Sequence, residues 1–198
     1  SQAMLDVLRG YLGERGHGVA VRHAMRYGNP SVASVMDELK AAGATRVLLL
    51  PMYPQYSGPT TASAWDAVGA WAAQVRHVPE LRFVNRYHDD AGYIRALAAS
   101  VRAHWALHGR GQKLVMSFHG VPARSLTLGD PYHCECHKTA RLLAEALDME
   151  IVAEGIETEA QLDYAREAGI HNVQGYLMSE PQSIAVMTDM ILRNVTIP

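Results

Sequence analysis

Short β-branched or aliphatic runs alternate with longer amphipathic stretches along the whole of this 198-residue chain. No other feature constrains its fold as strongly. A run of that kind followed by a helix-period segment is the repeating unit of a parallel sheet covered by helices. The runs Gly18–Met25, Arg46–Met52, Arg82–Tyr87, Lys113–Phe118, Glu150–Ala153 and Asn172–Leu177 are the expected strands. Apolar spacings of three and four place helices at Gln2–Arg15, Pro30–Ala42, Ala62–Val75, Ala91–His108, Cys134–Leu147, Glu159–Ala168 and Ile184–Leu192. The expected class is α/β, with a parallel, doubly wound sheet of about six βα units.

Boundary chemistry supports these segments. Asn29-Pro30 and Asp130-Pro131 each set a capping side chain before a first-turn proline, and Thr158 with Gln161 has the spacing of a capping box. Gly43, Gly109 and Gly169 follow helical patterns and mark their ends. With 48% hydrophobic and 19% charged residues the chain can bury a core. Its formal net charge of −2, without a Lys/Arg cluster, argues against nucleic-acid binding. Cys134 and Cys136 cannot support a disulfide scaffold and suit a reducing compartment. The longest apolar stretch, Val47–Tyr53, contains Pro51 and is too short to span a membrane. No export signal opens the chain, so the expected address is the cytoplasm. Ser-Gln-Ala-Met runs straight into a helix, and sequence upstream of it is expected to have been removed.

Ligands of parallel α/β sheets collect at the carboxyl ends of strands. The segments there are Arg26–Pro30, Tyr53–Ser57, His88–Asp90, His119–Pro122, Gly155–Glu157 and Ser179–Pro181, rich in Tyr, Arg and His and without a G-x-G-x-x-G or P-loop. His119, just past an expected strand, is placed to take up a proton, to hold a transition metal or to tie the turn together. Arg26 and Tyr27, with Tyr53 and Tyr56, offer a cation and aromatic faces to a flat, anionic, largely apolar ligand, although strand-end tyrosines also serve as packing. His133-Cys134-Glu135-Cys136-His137 is dense in soft ligands. On a helix at most His133, Cys136 and His137 share a face, and no second pair completes four ligands. Glu154, Glu157 and Glu159 suit Mg²⁺, or equally a helix N-terminus.

Taken together, Ala24–Pro30, Leu50–Ser57, Tyr87-His88-Asp89, Met116–Pro122 and Gly129–Tyr132 follow one another in an order and spacing that resembles bacterial ferrochelatases. Those enzymes insert Fe²⁺ into protoporphyrin, and the resemblance covers residues 1–148. It implies a flavodoxin-like, chelatase-like sheet, with iron and porphyrin as substrates and no certain resident cofactor. His119 would face the porphyrin centre, accepting pyrrole protons or handing over iron. Arg26, Tyr27, Tyr53 and Tyr56 would lie on porphyrin-facing loops. The family's first strand would precede residue 1 and its metal-side carboxylate would follow Leu147, so little or no activity is expected.

Residues 149–198 are similar to something else. Val152–Gln161 and Val173–Pro181 resemble the late βα units of EAL-domain cyclic-di-GMP phosphodiesterases, a TIM-like barrel family. Glu154 would match a metal-site carboxylate there, with Gln174 on the next strand. The resulting expectation is an engineered chimera packed as one globular unit, its last two units drawn from a barrel. Its alternatives are a scaffold without catalysis or a residual cyclic-dinucleotide binder, and exposed strand edges would permit a homodimer.

Overall fold

Helix ends are set by side chains that reach back to free backbone groups. In the computed structural model, which describes residues 2–167, 169–170, 172–180 and 182–192, the first elements are α1 (Gln2–Glu14), α2 (Val32–Ala41) and β1 (Arg46–Leu49). A π-type turn at Gly58–Ala62 leads into α3 (Ser63–Ala72), followed by β2 (Glu80–Phe83), α4 (Ala91–His108), α5 (Ala123–Thr127) and α6 (Tyr132–Ala146). Then come β3 (Val152–Glu154), α7 (Glu159–Glu167), β4 (Asn172–Gln174) and α8 (Ile184–Leu192). Each of the seven expected helices has a counterpart, while α5 was not expected. Ser1, Ala168 and Pro181 lie outside the described residues. None of the helices is long and apolar enough to cross a membrane among the described residues.

Helix α4 has the expected bounds because both ends are specified. The Asp90 carboxylate accepts from the N–H groups of Gly92 and Tyr93 at 2.8 and 3.0 Å, and Gly109, at φ 85°, returns its N–H to Trp105 O. At α7 the capping box forms as spelled. Gln161 donates its N–H to Thr158 Oγ1 at 3.3 Å, and Gln161 Oε1 accepts from Thr158 N–H at 3.0 Å. Helix α2 differs from expectation, since Ser31 rather than Asn29 caps it, accepting from Ser34 N–H at 3.1 Å. Ser31 is the residue in extended conformation just before the first turn, so its hydroxyl, one residue past Pro30, is the one in reach.

Among the described residues the expected six-unit sheet is not seen. The described strands make two separate parallel pairs, β1 with β2 and β3 with β4. Gly18–Met25 makes no strand, only a bridge from Met25 to Ser31, and Lys113–Phe118 makes none at all. The period-2 signal in the second segment is real, because Leu114 and Met116 pack inward while Val115 is 86% exposed. A pleated alternation becomes a strand only when a neighbour takes its N–H and C=O groups, and among the described residues neither segment has one.

The chain divides into two compact bodies. Residues up to 87, with 121–132, make the first. Its apolar centre includes Val35 and Met36 of α2 and Val68 and Trp71 of α3, all buried. Trp71 Nε1–H donates to Asp37 Oδ1 at 2.8 Å, so the indole's polar tip is satisfied while its rings are buried.

Residues 88–120 with 133 onward make the second body. Ala98 of α4 packs with Leu143 of α6 and Leu147, and Leu97, Val101 and Trp105 widen that core. Arginines of α4 and the turn after it serve the end of α6. Arg102 donates to Ala146 O, and Arg110 donates to Leu147 O and Asp148 O at 3.3 and 3.0 Å. Cations thereby meet carbonyls that have no partner inside the helix. Ile156, Leu162, Ala165 and Ile170 form a second core under β3, α7 and β4.

Gly175 is fixed by close approach. The Ile156 N–H donates to Gln174 O and Leu177 N–H to Ile156 O at 3.1 and 3.0 Å, which brings the Gly175 backbone so near that a Cβ there would collide with backbone atoms of Ile156. Gly175→Ala should destabilise the protein by about 1–3 kcal/mol, as overpacking does. The check is a urea melt with amide exchange at Ile156 and Leu177. An unchanged midpoint would show that the close approach has been misjudged.

Candidate functional site

The loop after β1 must turn back toward α3, and Asp130 holds it. One carboxylate oxygen, Oδ2, accepts from Ser57 Oγ–H at 3.0 Å and from Gly58 N–H at 2.8 Å, while Oδ1 accepts from Tyr132 N–H at 3.0 Å. The expected cap at Asp130 is therefore present, and the same residue also ties two segments 72 and 73 residues apart in sequence. Ser57 is 2% exposed, so its hydroxyl depends on this partner. Tyr87 N–H donates to Pro54 O at 2.9 Å, which lays the Tyr53–Ser57 loop beside the chain leaving β2.

Around this loop lies a cleft of about 280 Å³ lined by Tyr56, Thr61, Ala62, Trp65, Phe83 and Asn85. Trp65 and Phe83 meet edge to face, with ring centres 5.2 Å apart. Thr61 is fully buried, and its hydroxyl has no hydrogen-bond partner among the described residues. Of the residues expected at a site, only Tyr56 lines the cleft. Tyr53 stands at the surface, 44% exposed.

Arg26 and Tyr27 form a second constellation on the start of α3. Arg26 Nε–H points at Ser63 O and Oγ, at 2.7 and 2.8 Å, and its guanidinium carbon lies 4.5 Å from the Tyr27 ring centre. The Tyr27 hydroxyl is 3.1 Å from Ser63 Oγ, yet Tyr27 is 71% exposed. Anchoring at Ser63 uses one edge of the guanidinium, and an exposed ring stands next to it. Such a pair can meet a carboxylate and a flat apolar face together.

His119 belongs to the second body and is exposed. No strand precedes it, so the expectation of a histidine at a strand end is corrected. It stands instead on an irregular segment whose inward anchors are Leu114 and Met116. Glu154 ends β3, is exposed, and pairs in register with Gln174 of β4. Among the described residues no three His, Cys, Asp or Glu side chains gather as a metal site.

The second body also holds a buried polar knot. His88, 5% exposed, puts Nδ1 3.3 Å from Glu135 Oε2, too far off line for a hydrogen bond. The Thr139 hydroxyl is 2.9 Å from His88 O and 3.0 Å from Glu135 O. Next to it, Lys138 Nζ lies 2.5 Å from Asp89 Oδ2, and this hydrogen bond holds the Asp89 carboxyl below the usual carboxylate range against a smaller opposing effect of burial. On α6, burial together with the His133 ring and the Arg141 guanidinium holds His137 below the usual histidine range. Burial and the Cys134 thiol push the Tyr164 hydroxyl well above the ordinary phenol range.

Sequence reasoning missed Ser63, Thr61, Trp65 and Phe83. Ser63 and Thr61 lay inside or beside an expected helix, where small polar residues carry no signal. Trp65 and Phe83 lay inside an expected helix and an expected strand, where an aromatic residue carries no site signal. Asp130 was recognised as a cap, but a bond across some 70 residues leaves no trace in spacing.

Comparison with known proteins adds lineage to this geometry. The sequence profile of the ferrochelatase family matches residues 1–171. The chain is similar to a ferrochelatase of a Polaromonas species, 71% identical over 149 residues, which are 75% of this chain and 41% of that protein. It is 67% identical over 147 residues to the ferrochelatase of Methylibium petroleiphilum, covering 74% of this chain and 40% of that one. A ferrochelatase of a Janthinobacterium species is 65% identical over 149 residues, 75% and 40% of the two chains. The chain thus spans about two fifths of the length of these curated relatives. The family match continues past residue 148 to residue 171, into the stretch where a second family was expected.

Asp130→Ala should cost about 1–3 kcal/mol, because Ser57 and Gly58 lose a charged acceptor. Asp130→Asn, which keeps one acceptor oxygen, should lose less. Equal losses in the two variants' urea melts would contradict the assignment. For Asp89, a carboxyl with a lowered folded pKa contributes stability that is present above its unfolded pKa and fades as the pH falls through the folded one. Lys138→Met should therefore lower the urea midpoint slightly at neutral pH, by about 0.5 kcal/mol or less at this exposure. The difference should vanish at acid pH, whereas a pH-independent difference would assign it to packing.

Proposed function

Because the chain belongs to the ferrochelatase family, we propose that it carries the porphyrin-handling part of an enzyme that inserts Fe²⁺ into protoporphyrin. The observation that carries this reading is the Arg26–Tyr27 pair anchored on Ser63, with Tyr27 largely exposed. A porphyrin is a flat apolar ring with carboxylate side chains, and it asks for a guanidinium beside aromatic faces. Arg26 supplies the positive charge for a propionate. Tyr27 and Tyr53 supply exposed rings, and Tyr56 supplies a wall of the cleft.

Metallation replaces two pyrrole N–H protons with one divalent ion. A base must take those protons, and His119, an exposed histidine, is the residue that the family resemblance assigns to that step. Iron and porphyrin are both substrates in this reading. Turnover by these 198 residues alone is not required by it.

A second reading draws on the in-register pairing of Glu154 with Gln174 on neighbouring parallel strands. In it, residues 149–198 derive from an EAL-type phosphodiesterase and the chain is a spliced scaffold. Calorimetry with cyclic-di-GMP and Mg²⁺ separates the two, since heat that is lost in Glu154→Gln would favour the second.

The first reading predicts that protoporphyrin titrated with the protein shows a red-shifted Soret band. Arg26→Ala and Tyr53→Ala should each weaken binding about tenfold, roughly the worth of one good polar or aromatic contact. A Soret band unmoved by excess protein, or affinities unchanged in both variants, would refute it.

A further inference from the structure

One face of α6 carries chemistry that porphyrin handling does not use. His133 and His137, four residues apart, stand with ring centres 4.6 Å apart. Tyr164 of α7 packs against both rings, with ring centres at 5.1 and 5.4 Å. At about 100° per residue, His133, His137 and Cys134 fall within an arc of about 100°, with His137 in the middle. Spacing alone admits Cys136 equally, in an arc of the same width on the other side. The structure separates that residue from the set, because Cys136 is buried whereas Cys134 is exposed.

Two imidazoles one helical turn apart are a chelating pair for zinc-like ions, and a thiolate is a soft third ligand for the same metals. We propose that His133, Cys134 and His137 form a three-donor site for a divalent transition-metal ion of the zinc class, covered by Tyr164. Among the described residues no three such side chains form a ready-made cage, so the three donors turn toward a common point as the ion binds. The thiol proton passes to solvent as the sulfur–metal bond forms, a water completes the coordination, and no redox change occurs. The site lies wholly within the second body and is independent of whether porphyrin binds.

Cobalt(II) is the probe, because a thiolate bound to it gives a near-ultraviolet charge-transfer band that imidazole ligands do not. Titrating the full chain with Co²⁺ should develop this band to a 1:1 end point, and Zn²⁺ but not Mg²⁺ should compete it away. Cys134→Ser should abolish the band, Cys136→Ser should leave it, and His137→Ala should weaken binding at least tenfold. His104 and His108 on α4, with ring centres 4.5 Å apart, carry no thiol, so ions held there cannot produce the band. Absence of the band, its survival in Cys134→Ser, or binding unaffected by His137→Ala would each overturn the proposal.

Discussion

The Asp130 carboxylate organises the first body. It sits at the start of α6, accepts from Tyr132 at its own turn, and holds Ser57 and Gly58 far away in sequence. A charged acceptor shared by a buried hydroxyl and a backbone N–H is among the stronger ties a small body can form. The π-type turn begins at Gly58 and runs directly into α3, whose first residue, Ser63, anchors Arg26 and Tyr27. The placement of Arg26 and Tyr27 thus follows, step by step, from one carboxylate.

Helices were legible in this sequence for a physical reason. Their limits are written in residues next to one another, as Asp90 with Gly92 and Tyr93, and Thr158 with Gln161 show. Strands were legible only as alternation. Lys113–Phe118 has the alternation and buries Leu114 and Met116, yet lacks a partner strand among the described residues. A strand is a property of two segments, and spacing within one of them cannot supply the other.

The candidate site divided along similar lines. Arg26, Tyr27, Tyr53 and Tyr56 stood out as candidates because cations and aromatic rings in loops attract attention by type. Ser63, which orients two of them, was hidden as an ordinary helix residue. The soft-ligand run at 133–137 was seen, but the choice between Cys134 and Cys136 needed the structure, which buries Cys136 and leaves Cys134 exposed. The likeness to a second family after residue 148 rested on short motifs, and the ferrochelatase match reaches into the same stretch as far as residue 171.

The central claim is that the first body binds a flat, anionic macrocycle through Arg26, Tyr27 and the Tyr53–Ser57 loop. Amide hydrogen exchange with and without protoporphyrin tests it at those residues without relying on turnover. Protection should rise at Tyr27 and Gly28 and from Tyr53 through Ser63, and stay unchanged at Val152–Glu154 and Asn172–Gln174. No change in the first set, or protection confined to the second, would contradict the account.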